Sequence, residues 1–139
     1  MTDSIKNRKT LRAAIAADIV THVTNAKVVF AYLGDPLKKM PAIAIQSRGT
    51  AQTDIGYDHL FTAHLLVLAG AGAWTEAQAE DALDDLSWQF QSYIIEQTYP
   101  TLVRDGDSSI NMVDIDDEQY LDEEIPFRVR AVKTDNLWG

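Results

Sequence analysis

The sequence predicts an α+β domain: a mainly antiparallel sheet of about five strands with two helices, in the order α-β-β-β-α-β-β. Three observations predict it. Two separated stretches carry apolar residues at helical spacing, and runs rich in β-branched and aromatic residues fall before, between and after them. The connections between neighbouring strands are short, which favours antiparallel pairing. The 139 residues, with no Pro/Gly/Ser-rich linker, fit one domain over 1–139.

The first helix is expected from about Ser4 to Thr24. Leu11, Ile15, Ile19 and Val23 recur every four residues, and Ile5 falls on the same stripe. Lys6, Arg8, Lys9 and Arg12 lie mostly off it, on the wet side. Val28 to Leu33 reads as a strand ending at the turn Gly34-Asp35-Pro36, and Pro41 to Gln46 as a second. The polar stretch Ser47 to Asp58, with Gly49 and Gly56, reads as a long hairpin loop. The third strand, about Leu60 to Ala69, is apolar on both faces. Phe61, Ala63, Leu65 and Val67 share one face and Leu60, Thr62, His64, Leu66 and Leu68 the other, so cover on both sides is expected.

Gly70 to Ala73 turns the chain into a second helix. Thr75 and Gln78 form a capping box there, with Glu76, Glu80 and Asp81 at the positive end of the dipole. Its buried stripe is Ala79, Leu83, Leu86, Phe90 and Ile94, and Pro100 bars continuation. Arg104 to Asp107 is a turn, Ile110 to Ile115 a strand, and Asp114 to Glu124 an acidic run. The last strand, about Ile125 to Lys133, turns Phe127, Val129 and Ala131 inward and Arg128 and Arg130 outward.

Composition narrows the function classes. The chain is 46% hydrophobic and 24% charged, the balance of a soluble globule. It has no cysteine, which excludes disulfide scaffolds, zinc ribbons and thiol catalysis. No apolar run reaches the ~18–20 residues that span a bilayer, and the polar, basic N-terminus has no signal-peptide pattern. Twelve basic against 21 acidic residues give a net charge of −9, which argues against a nucleic-acid grip. The charge is polarised: residues 1–69 hold 8 Lys/Arg and 5 Asp/Glu, whereas residues 70–139 hold 4 and 16.

Catalytic and cofactor signatures are weak. Gly70 and Gly72 follow a strand, but Thr75 stands where a dinucleotide fingerprint needs its third glycine. Neither the Asp105 nor the Asp114 register gives a calcium loop its glycine and closing glutamate. His22, His59 and His64 lack zinc-protease spacing, and His64 reads as a packed or hydrogen-bonded histidine. The expectation is therefore no catalytic residue, no metal and no cofactor. Surface remains. If both helices pack on one sheet face, Leu60, Leu66 and Leu68 with part of the first strand form an exposed apolar surface suited to self-association.

In order along nearly its full length, the chain resembles the tail terminator proteins of long-tailed phages, the minor tail protein U-like family. The resemblance is carried by Leu11-Arg12-Ala13-Ala14-Ile15, Val28-Val29-Phe30, and Gly34-Asp35-Pro36 leading into Met40-Pro41-Ala42-Ile43-Ala44-Ile45. It continues through the polar loop Gly49 to Asp58, the strand Phe61 to Leu68, and the helix Thr75 to Ile95 centred on Ala82-Leu83-Asp84-Asp85-Leu86. It closes on Pro126-Phe127-Arg128-Val129-Arg130-Ala131.

The resemblance implies a structural virion protein, not an enzyme. It would form a ring, typically a hexamer, at the head-proximal end of the tail after assembly in the host cytoplasm. The ring would cap the tube of major tail protein, end its polymerisation and offer the surface for head attachment through a head-completion or neck protein. DNA would pass through without specific binding, and no membrane partner is implied. On that reading Arg48, Gln52, Asp54, Tyr57 and Asp58, with Leu60, Leu66 and Leu68, are the expected ring or tube contacts. Asp114, Asp116, Asp117 and Glu118, continuing to Asp122, Glu123 and Glu124, would line the opening as a negative wall. Trp138 would dock on a partner or on its own subunit. The alternatives are a neck adaptor of the same particle and, from a different class, a small enzyme or ligand-binding domain.

Overall fold

A computed structural model describes residues 8–30, 41–54, 56–69, 76–96, 102–115 and 117–130. Their elements are α1 (Arg8–His22), β1 (Val28–Phe30), β2 (Ala42–Thr53), β3 (Gly56–Leu68), α2 (Glu76–Ile95), β4 (Leu102–Arg104), β5 (Ser109–Ile115) and β6 (Glu118–Arg130). The expected α+β class and element order hold, with the short β4 added between α2 and the last hairpin. The cap at Thr75, the turns at Gly34 and Gly70, and Trp138 lie outside the described residues.

The six strands form one sheet in the order β1-β2-β3-β6-β4, with β5 also paired to β6. β4 pairs with residues 127–129 of β6 and β5 with residues 118–124, so the two lie end to end along one edge. All pairings are antiparallel except β1 with β2. That exception has a simple reason: the eleven residues between Phe30 and Ala42 can span about 36 Å. This is ample to carry the chain back to the start of a three-residue strand.

α1 packs on β1 and β2, and α2 on β3, β6 and β4. Both helices therefore cover the same sheet face. The main core between the layers joins Leu11, Ile15 and Ile19 of α1, Leu83, Leu86 and Phe90 of α2, and Ile43, Ile45, Phe61, Leu65, Ile125 and Phe127 of the sheet. Phe127 lies between Phe61, with ring centres 5.6 Å apart, and the edge-on ring of Phe90 at 6.2 Å. Between the helices, Tyr93 donates its hydroxyl to Asp18 at 2.6 Å. Burial first, then this bond and the Asp18 charge, push its phenol far above the usual tyrosine range.

The opposite face has a smaller apolar cluster of Ala42, Ala44, Leu66 and Tyr120, with Val28, Phe30, Leu68 and Val113 packed against it. The expected exposure of Leu66 is thus overturned, since it is fully buried, while Leu60 and Leu68 are half-buried. β3 is covered on both sides from Phe61 to Val67, as its composition implied. Among the described residues, no helix is long and apolar enough to cross a membrane.

Candidate functional site

The stretch Ser47–Asp58 is not a long loop. β2 runs on to Thr53 and β3 starts at Gly56, so the strands form a hairpin whose last pair is Thr53 with Gly56, the latter at φ 145°. Backbone pairing supplies the ladder where the side chains give no apolar alternation. The register shifts between Ser47 and Gly49, leaving Arg48 as the extra residue of a β-bulge. Gly49 sits there at φ 136°, a conformation that disfavours side chains. Beyond the bulge Thr50 pairs with His59 and Gln52 with Tyr57 on the helix side, while Ala51 pairs with Asp58 on the other. On the helix side, the His59 ring nitrogen Nδ1 lies 2.9 Å from the Thr50 hydroxyl, and Arg8 and Arg12 of α1 reach Thr50 and Ser47.

The bulge aims Arg48 across the helix-free face. Its Nε donates to the carbonyl of Phe61 at 2.9 Å, and an Nη reaches the carbonyl of Phe127 and the carboxylate of Asp105, both at 3.1 Å. Asp105 also faces Arg128 at 3.5 Å. Arg128 continues to Asp58 at 3.4 Å, and Arg130 meets the other Asp58 oxygen at 3.7 Å. Three arginines and two aspartates thus run from the hairpin over β6 to the β4–β5 turn. Two expected contact residues, Arg48 and Asp58, belong to this internal network, and Asp58 is buried. Gln52, Asp54 and Tyr57 remain exposed near the hairpin tip.

Further along the same face, His64 is buried with Asp122. Its Nδ1 donates to the Asp122 carboxylate at 3.0 Å, and its Nε2 lies 2.7 Å from the side-chain oxygen of Gln46. The acidic run is therefore not a continuous wall. Asp122 and Glu123 are buried on opposite faces of β6, which begins at Glu118 and not at Ile125. A charged run reads as solvated unless its partner is known, and the partner of Asp122 is 58 residues away. Asp114, Asp117 and Glu118 do stand exposed around the β5–β6 turn, with Asp117 at φ 66°. Asp116 lies outside the described residues. Among those described, no group of three or more His, Asp or Glu is placed to hold a metal ion.

Apart from Tyr57, the exposed large apolar side chains are elsewhere than expected, Val20 of α1 and Val103 of β4 among them. Trp88 and Ile95, seven residues apart on the outer ridge of α2, are 72% and 78% exposed. Ile110 and Met112 of β5, 54% and 48% exposed, point to the helix side of the sheet beyond the reach of α2. Sequence pattern had one available signal for the first pair, since Trp88 and Ile95 fall off the buried stripe of α2. For Ile110 and Met112 the alternation of β5 looks the same whether or not a helix lies above it. Scanned against protein-family models the chain matches none, and no curated protein matches it significantly.

Proposed function

We propose that the chain is a phage tail terminator-like structural protein. Its copies close into a ring, in the family a hexamer, that caps the tail tube of the virion, stops its growth and receives the head. The order of elements along the chain supports this reading. The observation that carries it is the placement of exposed apolar side chains on two separate surfaces of one α+β unit: the ridge Trp88–Ile95 and the shelf Ile110–Met112. A ring subunit needs a surface for its neighbours and another for the structure it caps, and apolar patches of this kind mark protein contacts. No residue is assigned a catalytic role.

The exposed Asp114, Asp117 and Glu118 offer a turn that repels phosphate, suited to a lumen through which DNA passes. Mass measurement in solution, with a Mg²⁺ titration, tests the ring: a defined oligomer is expected, and a monomer at every concentration would sink it. Tube-length measurement on particles assembled without this protein separates terminator from neck adaptor. Over-long tubes are expected, and tubes of normal length would leave the adaptor.

A further inference from the structure

We infer that β5 and the shelf beside it receive α1 and the β1 edge of a second copy of this chain, so that sheet and helix layer both continue from subunit to subunit. The inference rests on the ring reading and names the surfaces that would close it. The two edges of the sheet differ in kind. At one edge α1 lies over β1 and β2. At the other, among the described residues, β5 pairs on one side only, with β6, and no helix covers Ile110 and Met112. A sheet extended from β5 to the next copy's β1 would place that copy's α1 over this gap. The flank of α1 turned away from α2 carries Lys9, Ala13 and the half-exposed Val20. Asp18 and His22, on the other flank, face Tyr93 of α2.

Charge points the same way. From Asp105 to Glu124 there is no Lys or Arg, and Asp107, Asp114, Asp117 and Glu118 are exposed. Between residues 8 and 30 the cations are Arg8, Lys9, Arg12 and Lys27, against the single acid Asp18. Pairing β5 with β5 would set carboxylates against carboxylates, and pairing the basic edges would fail likewise, so the contact favoured is heterologous. A heterologous contact closes into a ring when its rotation allows.

Charge reversal tests this on the full chain. Asp107→Lys, Asp114→Lys and Glu118→Lys together make both edges positive, and Lys9→Glu with Lys27→Glu makes both negative. Each multiple variant alone is expected to associate at least tenfold more weakly than the wild type by sedimentation. A 1:1 mixture, in which each reversed edge meets an opposite one, is expected to recover oligomers of even copy number. Circular dichroism melts confirm that both variants fold, and Met112→Asn, which spoils the shelf without altering charge, is expected to weaken assembly independently. A wild type that assembles while both reversals assemble equally well would overturn the edge assignment and leave the ring standing, as would failure of the mixture to recover. A wild type that stays monomeric would remove both.

Discussion

On the helix side of β3, Phe61, Ala63, Leu65 and Val67 belong to an apolar core shared with both helices. On the other side of the same strand, Asp58 meets two arginines and His64 meets Asp122, around a cluster of only four buried apolar residues. Backbone pairing is common to both faces, so the difference lies in what holds the side chains. One face is stabilised by removing apolar area from water, about 25 cal/mol per Å² and indifferent to direction. The other depends on charges whose removal from water must be matched by specific partners. The first is sensitive to loss of volume, the second to loss of a partner.

The largest expected effect is on the apolar side. Phe127→Ala removes the ring between Phe61 and Phe90 and should cost about 3–5 kcal/mol in urea unfolding. Asp122→Ala comes next. It leaves His64 buried without its carboxylate and should cost about 2–4 kcal/mol, with little change in far-ultraviolet dichroism. A loss under 1 kcal/mol would mean that the helix-free face is held by packing after all. Tyr93→Phe should cost about 1.5 kcal/mol, since it leaves the Asp18 carboxylate without its hydroxyl donor. The raised phenol also fixes a sign. The folded state holds this proton more tightly, so its contribution is complete below the unfolded tyrosine value of about 10 and is lost as pH rises beyond it. Thermal melts from about pH 9 to 11 should therefore fall more steeply for the wild type than for Tyr93→Phe. The smallest effect belongs to neither face. Trp88→Ala, on the exposed ridge of α2, should change unfolding by no more than about 0.5 kcal/mol.

How much could be read beforehand divides along the same line. Periodicity placed both helices, the two-faced β3 and the inward Phe127 and Val129, because burial by apolar packing leaves a repeat in the sequence. Ion pairing leaves none. Arg48 and Asp105 are 57 positions apart, and nothing local marks either as the partner of the other. Ser47–Asp58 therefore reads as a loop and Asp122–Glu124 as part of an acidic wall, although both are strand, with Asp58, Asp122 and Glu123 buried. β4 leaves no signal in the sequence, because three residues, Leu102 to Arg104, are too few to show alternation. Of the expected contacts, Leu66 departs furthest: a sheet face without helices reads as bare, whereas strand side chains bury it themselves.

The bulge at Arg48 has a consequence for chain length. A strand alternates with period two, so one extra residue inverts the sides for everything beyond it. The root of the β2–β3 hairpin and its tip are therefore out of phase on β2. Deleting Arg48 would restore plain alternation with Ser47 still opposite Phe61 and Gly49 still opposite Leu60, so Thr50 and Gln52 would keep the helix side and the loss would fall on the arginine network alone. Adding one residue to each arm beyond the bulge would keep the cross-strand partners together but turn the tip beyond the insertion to the opposite face. Tolerance of this hairpin to insertion and deletion is thus a matter of parity: the bulge can lose its extra residue without moving the tip, whereas one residue added to both arms turns the tip over.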